Sequence, residues 1–348
     1  MIRLYLVLLA LLTLLFSCNP DEPDLSLEEQ KSYPFERIFD ERVQPYKEQL
    51  STSVLRLSNS IDQFLDDASL ENLQKLRKDI IETKKSAVKY ELYDFDSLLL
   101  YNFLDRRVIR IDRFEELLSD EDEQWNPGRY KVFNSLEFLL NRSESFQILM
   151  NLKNEPKQIQ ILEQISKHLL LSYEKIGNSS KYDKFVGEDS LNNVDLGQMF
   201  LAGNNHLYQR LGTLAFTITC GSNFPDEPRF QLDYMEAPFS KQSLPLLKIY
   251  FNEWKTVFYG DFDTQESFGY DDCLVAGGHQ ELLDSINVII TRCDSQLQEL
   301  NVLEDDVKSH PEKIDALGDS FLDLKRVMWV DFSPVLNIPF YYADLDCD

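Results

Sequence analysis

Few residues in this chain are of a type and spacing that could do chemistry. Tyr130, Asn134, Glu137 and Asn141 recur at helical spacing as a polar stripe, with Val132, Phe133, Leu136 and Leu140 on the apolar side. On a helix, Asn134 and Glu137 project from one face. A carboxylate so placed could ligate a metal or orient a neighbouring group. Asn134 offers only an amide, a poor ligand for zinc, copper or iron beside imidazole nitrogen, and no general base near neutral pH. A zinc peptidase needs three protein ligands and a base for its water. No HExxH is present, and His168, His206, His279 and His310 fall in separate segments without ligand spacing. Taken alone, the stripe reads as a solvated helix face.

Other clusters have plain readings. Asp120-Glu121-Asp122-Glu123 lacks the alternating spacing of a calcium loop and reads as solvated. His168 and His206 sit beside apolar helix positions, as packed histidines do; His279 follows two glycines at a helix start, and His310 lies in a cap. Cys293 falls on an apolar stripe and reads as a buried thiol. Cys220, Cys273 and Cys347 lie in irregular or terminal sequence, where one disulfide among them is an open alternative. No CxxC pair points to a zinc or redox motif. The aromatics, at helical spacing, read as core more readily than as a sugar-stacking surface.

The elements that must carry these residues are helical. Val54, Leu57, Ile61 and Phe64/Leu65 recur every three to four residues, as do Leu73, Leu76 and Ile80. So do Leu283, Ile286, Ile289/Ile290, Cys293, Leu297 and Leu300. A last helix is expected to start at a capping box, Ser309-His310-Pro311-Glu312, and to run through Ile314, Leu317, Phe321, Leu324 and Val327/Met328. Alternating β-branched runs are nearly absent. The expected fold is all-α, two helical-bundle lobes: residues 36–190 and 191–348, broken by polar stretches near Gly177–Asp195 and Gly221–Arg229.

Composition removes several function classes. The chain has 348 residues with 60 acidic and 35 basic side chains, a formal net charge of −25. That field cannot neutralise phosphates, so nucleic acid is excluded as a partner, and so is docking on anionic lipid through a basic patch. Only 12 glycines, none in a glycine-rich loop, disfavour P-loop and dinucleotide folds. At the N-terminus, Arg3 precedes an apolar run from Leu4 to Phe16. The run is short of the roughly 20 residues a membrane span needs and reads as a signal h-region. Leu15-Phe16-Ser17-Cys18 resembles a bacterial lipobox, which implies cleavage after residue 17 and lipid on Cys18. Residues 18–35 read as an acidic, extended tether. The expected location is the cell envelope, anchored by lipid to the outer membrane on its periplasmic or outer face.

Four segments in register resemble the imelysin family of bacterial envelope proteins. The C-terminus supplies Val330-Asp331-Phe332-Ser333, Leu336-Asn337-Ile338 and Phe340 through Asp344-Leu345-Asp346-Cys347-Asp348, with Cys347 where the family has glycine. Upstream come Glu236, Ser240 and Leu244-Pro245-Leu246-Leu247, then Phe258-Tyr259-Gly260, then Gly269-Tyr270-Asp271-Asp272 with Leu274. The N-terminal half supplies Phe133-Asn134-Ser135-Leu136-Glu137-Phe138-Leu139-Leu140. The resemblance runs from about Arg37 to the end and implies two helical lobes, an iron-linked role at the envelope and, for some members, a peptidase motif GxHxxE. Here Val132 replaces its glycine and Asn134 its histidine; Glu137 alone is kept.

That departure argues against catalysis. The resemblance places the stripe in a crevice between lobes, with Asn134, Glu137, Glu236 and Ser240 as candidate ligand-binding residues; Glu236 and Ser240 could equally cap or brace a helix. No cofactor is expected from the residues themselves; iron or haem, and an iron-uptake partner protein, enter through the resemblance alone. The competing readings are a metallopeptidase with ligands elsewhere in the chain, and a surface scaffold binding glycans or proteins.

Overall fold

The two longest N-terminal stripes become the inner faces of a helical hairpin, α1 (Gln44–Asp66) and α2 (Leu70–Glu91). Val54, Leu57, Ile61, Phe64, Leu73, Leu76 and Ile80 are all buried, as their period requires. Ser53 meets Ser86 at 3.0 Å and Ser60 meets Asp79 at 2.5 Å, so the two helices run in opposite directions. The turn between them works because Ser69 is extended and its hydroxyl accepts the Asn72 N–H at 3.3 Å, capping α2. Ser69→Ala is expected to cost about 1 kcal/mol in urea denaturation. The computed structural model describes residues 39–93, 111–178, 200–201, 203–204, 206–212, 230–262, 265–266 and 269–338.

Among the described residues, four helices complete the first half: α3 (Ile111–Ser119), α4 (Val132–Asn141), α5 (Ser145–Asn154) and α6 (Pro156–Asn178). α6 lies along α1, where Ser58 and Ser166 hydroxyls meet at 2.8 Å. Arg77 of α2 caps the end of α4: its guanidinium donates to the Leu140 carbonyl at 2.7 Å, the Ser143 carbonyl at 3.1 Å and the Ser145 hydroxyl at 2.9 Å. Those carbonyls have no partner within the helix, so a cation there satisfies both hydrogen bonding and the helix dipole. The acidic run before α4 is exposed at Asp120, Glu121 and Asp122, as expected. Its backbone is nonetheless held, because Lys157 donates to the carbonyls of Asp120, Glu121 and Glu123.

The second half holds a helical segment that includes Phe200, Leu201 and His206 to Gln209, then α7 (Ser243–Tyr259), α8 (Tyr270–Ala276), α9 (Gln280–Glu299), α10 (Leu303–Ser309), α11 (Pro311–Val327) and the single turn α12 (Ser333–Val335). α7 ends where Gly260 adopts φ +62°, and a two-residue hairpin follows: β1 (Asp261–Phe262) and β2 (Gln265–Glu266), antiparallel with Asp261 opposite Glu266. Among the described residues the fold is all-helical apart from that hairpin. Aromatic residues fill this half: Trp254, with no exposed surface, stacks on Phe200 at 4.8 Å and Phe258 at 5.6 Å between centroids. The terminal turn is locked by Ser333, whose hydroxyl donates to the Ile338 carbonyl at 2.7 Å, with Asn337 at φ +51°.

One boundary differs from expectation. α10 runs through Ser309, and His310 is the residue before α11, so Ser309 does not cap the last helix. Its hydroxyl donates back to the Asp305 carbonyl at 2.9 Å instead. A serine at a helix end can satisfy its own helix more cheaply than start the next. His279 does precede α9, and Cys293 is buried with its thiol pushed up to about 12 by burial. The expected boundary near residue 190, together with Cys18, Cys220, Cys347 and the terminal Phe340–Asp348 motif, lies outside the described residues. Among the described residues no helix is long and apolar enough to cross a membrane.

Candidate functional site

Glu137 does not lie on a solvated face. It is wholly buried on α4, with Tyr130 at 2% and Asn134 at 8% exposure before it. The physical reason lies on α2, whose apolar stripe Leu73, Leu76, Ile80 continues into Lys84 and Ala87 at the same spacing. Lys84 therefore points into the core, and Glu137 turns inward to meet it. Its ammonium donates to Glu137 Oε1 at 2.7 Å, and neither side chain has exposed surface. A carboxylate and an ammonium can share such a place only as a pair, because either alone carries an uncompensated charge.

Two further donors reach Glu137 from the other half of the chain. The Ser240 N–H donates to Oε2 at 3.0 Å and the Ser240 hydroxyl to Oε1 at 2.7 Å. Lys84 also donates to the Glu236 carbonyl at 3.2 Å and lies 5.7 Å over the Phe133 ring. Ser240 thus touches Glu137 directly, and Glu236 reaches the pair through its carbonyl on Lys84. Asn134 is buried on the same helix one turn earlier.

A second ionic centre adjoins the first. Arg210, 3% exposed, pairs with both Glu91 at the end of α2 and the Glu236 side chain. Its guanidinium lies 4.6 Å over the Tyr250 ring of α7. His206 Nδ1 is 3.1 Å from the Tyr250 hydroxyl and 3.6 Å from Glu91 Oε1. A third centre sits on Glu253 of α7, which accepts from the Tyr46 hydroxyl at 2.8 Å and the Tyr93 hydroxyl at 3.2 Å. Burial raises the Glu253 carboxyl above its ordinary value, against the pull of those hydrogen bonds and of Arg42.

Sequence reasoning singled out Asn134, Glu137, Glu236 and Ser240 as candidate ligand-binding residues but missed the buried charges Lys84, Glu91, Arg210 and Glu253. A signal existed for two of them: Lys84 and Glu91 occupy core positions of the α2 stripe, where charge is rare unless paired. Arg210 and Glu253 carry no such mark. His206 and His168 are packed, as expected, His168 edge-on to Trp125 at 5.9 Å between centroids. Among the described residues, no three His, Cys, Asp or Glu side chains converge to hold a metal ion.

The arrangement defines a class first: an all-helical protein whose halves are fastened by buried charge pairs. No family model and no curated protein sequence matches the chain. Solved structures do. An iron-regulated protein A precursor from Parabacteroides distasonis superposes with a TM-score of 0.65 at 18% identity, over 90% of this chain and 96% of its own. An imelysin-like protein from Psychrobacter arcticum does so with a TM-score of 0.57 at 15% identity, over 92% of this chain and 99% of its own. At these identities the likeness establishes a shared fold.

Proposed function

We propose that the chain is an imelysin-like envelope protein, lipid-anchored through Cys18, that binds a ligand or partner without hydrolysing it and works in iron or haem uptake. The observation that carries the non-catalytic part is the occupancy of Glu137. Its carboxylate already accepts from Lys84 and twice from Ser240. A general base must come within reach of substrate and a metal ligand must face the ion, and Glu137 has no exposed surface. Asn134, an amide, is no general base near neutral pH and a poor ligand for zinc, copper or iron. Asn134 and Glu137 then serve as buried support, and Glu236 and Ser240, both half-buried, are the candidates that lie nearest solvent. The likeness to a protein described as iron-regulated supports the iron link.

Metal analysis and peptidase assays on purified protein, with and without Glu137→Ala, test this reading. The expected result is no stoichiometric metal and no chelator-sensitive cleavage in either form. Stoichiometric zinc lost in the variant, with chelator-sensitive cleavage by the parent, would establish the metallopeptidase instead. The anchor has a separate test: Cys18→Ala should move the protein out of the membrane fraction, and retention there would end the lipidation assignment.

A further inference from the structure

At the seam between the two halves, three separate stretches of chain meet at one nitrogen. Lys84 comes from α2, Glu137 from α4, and Glu236 from the segment that leads into α7. The Lys84 ammonium donates to Glu137 Oε1 at 2.7 Å and to the Glu236 carbonyl at 3.2 Å, and stands 5.7 Å from the centre of the Phe133 ring. Glu137 grips the same segment through the Ser240 N–H and hydroxyl. Glu304 of α10 holds its far end, accepting the Ser243 N–H at 3.0 Å where α7 begins. The segment is therefore pinned at Ser240 and Ser243, and the ammonium lies where it joins α4.

The surroundings of Lys84 Nζ suit one kind of cation. A primary ammonium carries three N–H donors and one positive charge. Around Nζ stand a carboxylate oxygen, a backbone carbonyl oxygen and an aromatic face, each of which attracts such a donor or such a charge. Magnesium and calcium need about six or more oxygen ligands, and an aromatic face offers them no lone pair. Zinc takes several thiolate, imidazole or carboxylate groups. Among the described residues Glu137 is the one carboxylate in salt-bridge contact with Nζ. Nothing in this set of acceptors requires the ammonium to arrive on a covalent stem.

We propose that the seam holds a binding site for a primary ammonium ion, filled by the protein's own Lys84 side chain as a tethered ligand. Because the tether keeps the ligand always present, the seat is closed to cations from outside, and segment 236–243 is fastened without them. Removing the stem while keeping Glu137, the Glu236 carbonyl and the Phe133 ring leaves a seat that accepts a free alkylammonium ion in the same place. The atoms lost in Lys84→Ala are those of n-propylammonium, so that ion is the matching guest. A seat of this kind discriminates between cations by their N–H donors as well as by charge, which diffuse electrostatic attraction does not. None of this depends on what the protein binds elsewhere.

Thermal unfolding of the parent and of Lys84→Ala at fixed ionic strength, with n-propylammonium, tetramethylammonium, n-propanol or magnesium added, tests the assignment. The Tm of the variant is expected to rise by at least about 2 °C once n-propylammonium reaches about ten times its Kd, while that of the parent stays put. Tetramethylammonium has the charge without N–H donors and n-propanol the length without the charge; neither should move the variant. Adding Glu137→Gln to Lys84→Ala should abolish the response. A variant indifferent to n-propylammonium, an equal response to either control or to magnesium, or a response that survives Glu137→Gln would overturn the proposal. Should Lys84→Ala fail to fold alone, its refolding yield with and without n-propylammonium decides: recovery with that ion and not with tetramethylammonium supports the site, and no recovery is fatal.

Discussion

Lys84→Ala should cost about 3–5 kcal/mol of stability, because it leaves Glu137 charged, buried and without a cation. Folded proteins commonly hold only about 5–15 kcal/mol in reserve, so the loss should show as a large fall in the urea midpoint. The two Ser240 donors cannot make up the difference, since they were already engaged in the parent. A double replacement, Lys84→Met with Glu137→Leu, removes both charges at once and should be less damaging than the single change. A double-mutant cycle that gave near-additive losses would mean the pair is not coupled, and the seam would need another explanation.

The second large effect is expected at Trp254. This side chain has no exposed surface and lies against Phe200, Phe258 and, at 6.2 Å between centroids, Phe251. Trp254→Ala should cost about 3–5 kcal/mol through lost burial and the cavity left behind. A loss below about 1 kcal/mol in thermal or urea unfolding would show that the stack collapses around the gap. The same geometry bears on the glycan-binding reading: a ring enclosed by three others offers no face to a sugar.

Much of the fold was legible because helical period reports burial directly. Val54, Leu57, Ile61 and Phe64 repeat every three to four residues for one reason, a face turned to the core, and the structure puts them there. What period cannot report is what lies across from that face. Tyr130, Asn134 and Glu137 look polar and therefore solvated when only their own helix is considered. The partner that makes burial tolerable, Lys84, is more than fifty residues away in the chain. Glu304 shows the same limit more sharply. It stands beside Asp305 in one acidic run, yet Glu304 is 2% exposed and the Asp305 side chain 57%. Composition treats them alike; the position of Ser243 separates them.

The capping box at Ser309 failed for a related reason. Its pattern specifies a helix start only when the preceding chain is not already helical, and α10 occupies that ground. Glu236 and Ser240 lie on a short segment whose contacts come from residues far away in the chain, which helical period does not report. Their neighbours confirm how closely the segment is held: the Ala237 N–H donates to the Ser243 hydroxyl at 3.1 Å.

Cys293 turns the packing of α9 into a measuring device. A thiol with no exposed surface and an acidity suppressed to about 12 presents almost no thiolate to an alkylating reagent at neutral pH. Modification at that one sulfur, located by peptide mass analysis, would therefore advance only as fast as individual molecules open. Each copy of the protein carries a clock that starts when its own core comes apart.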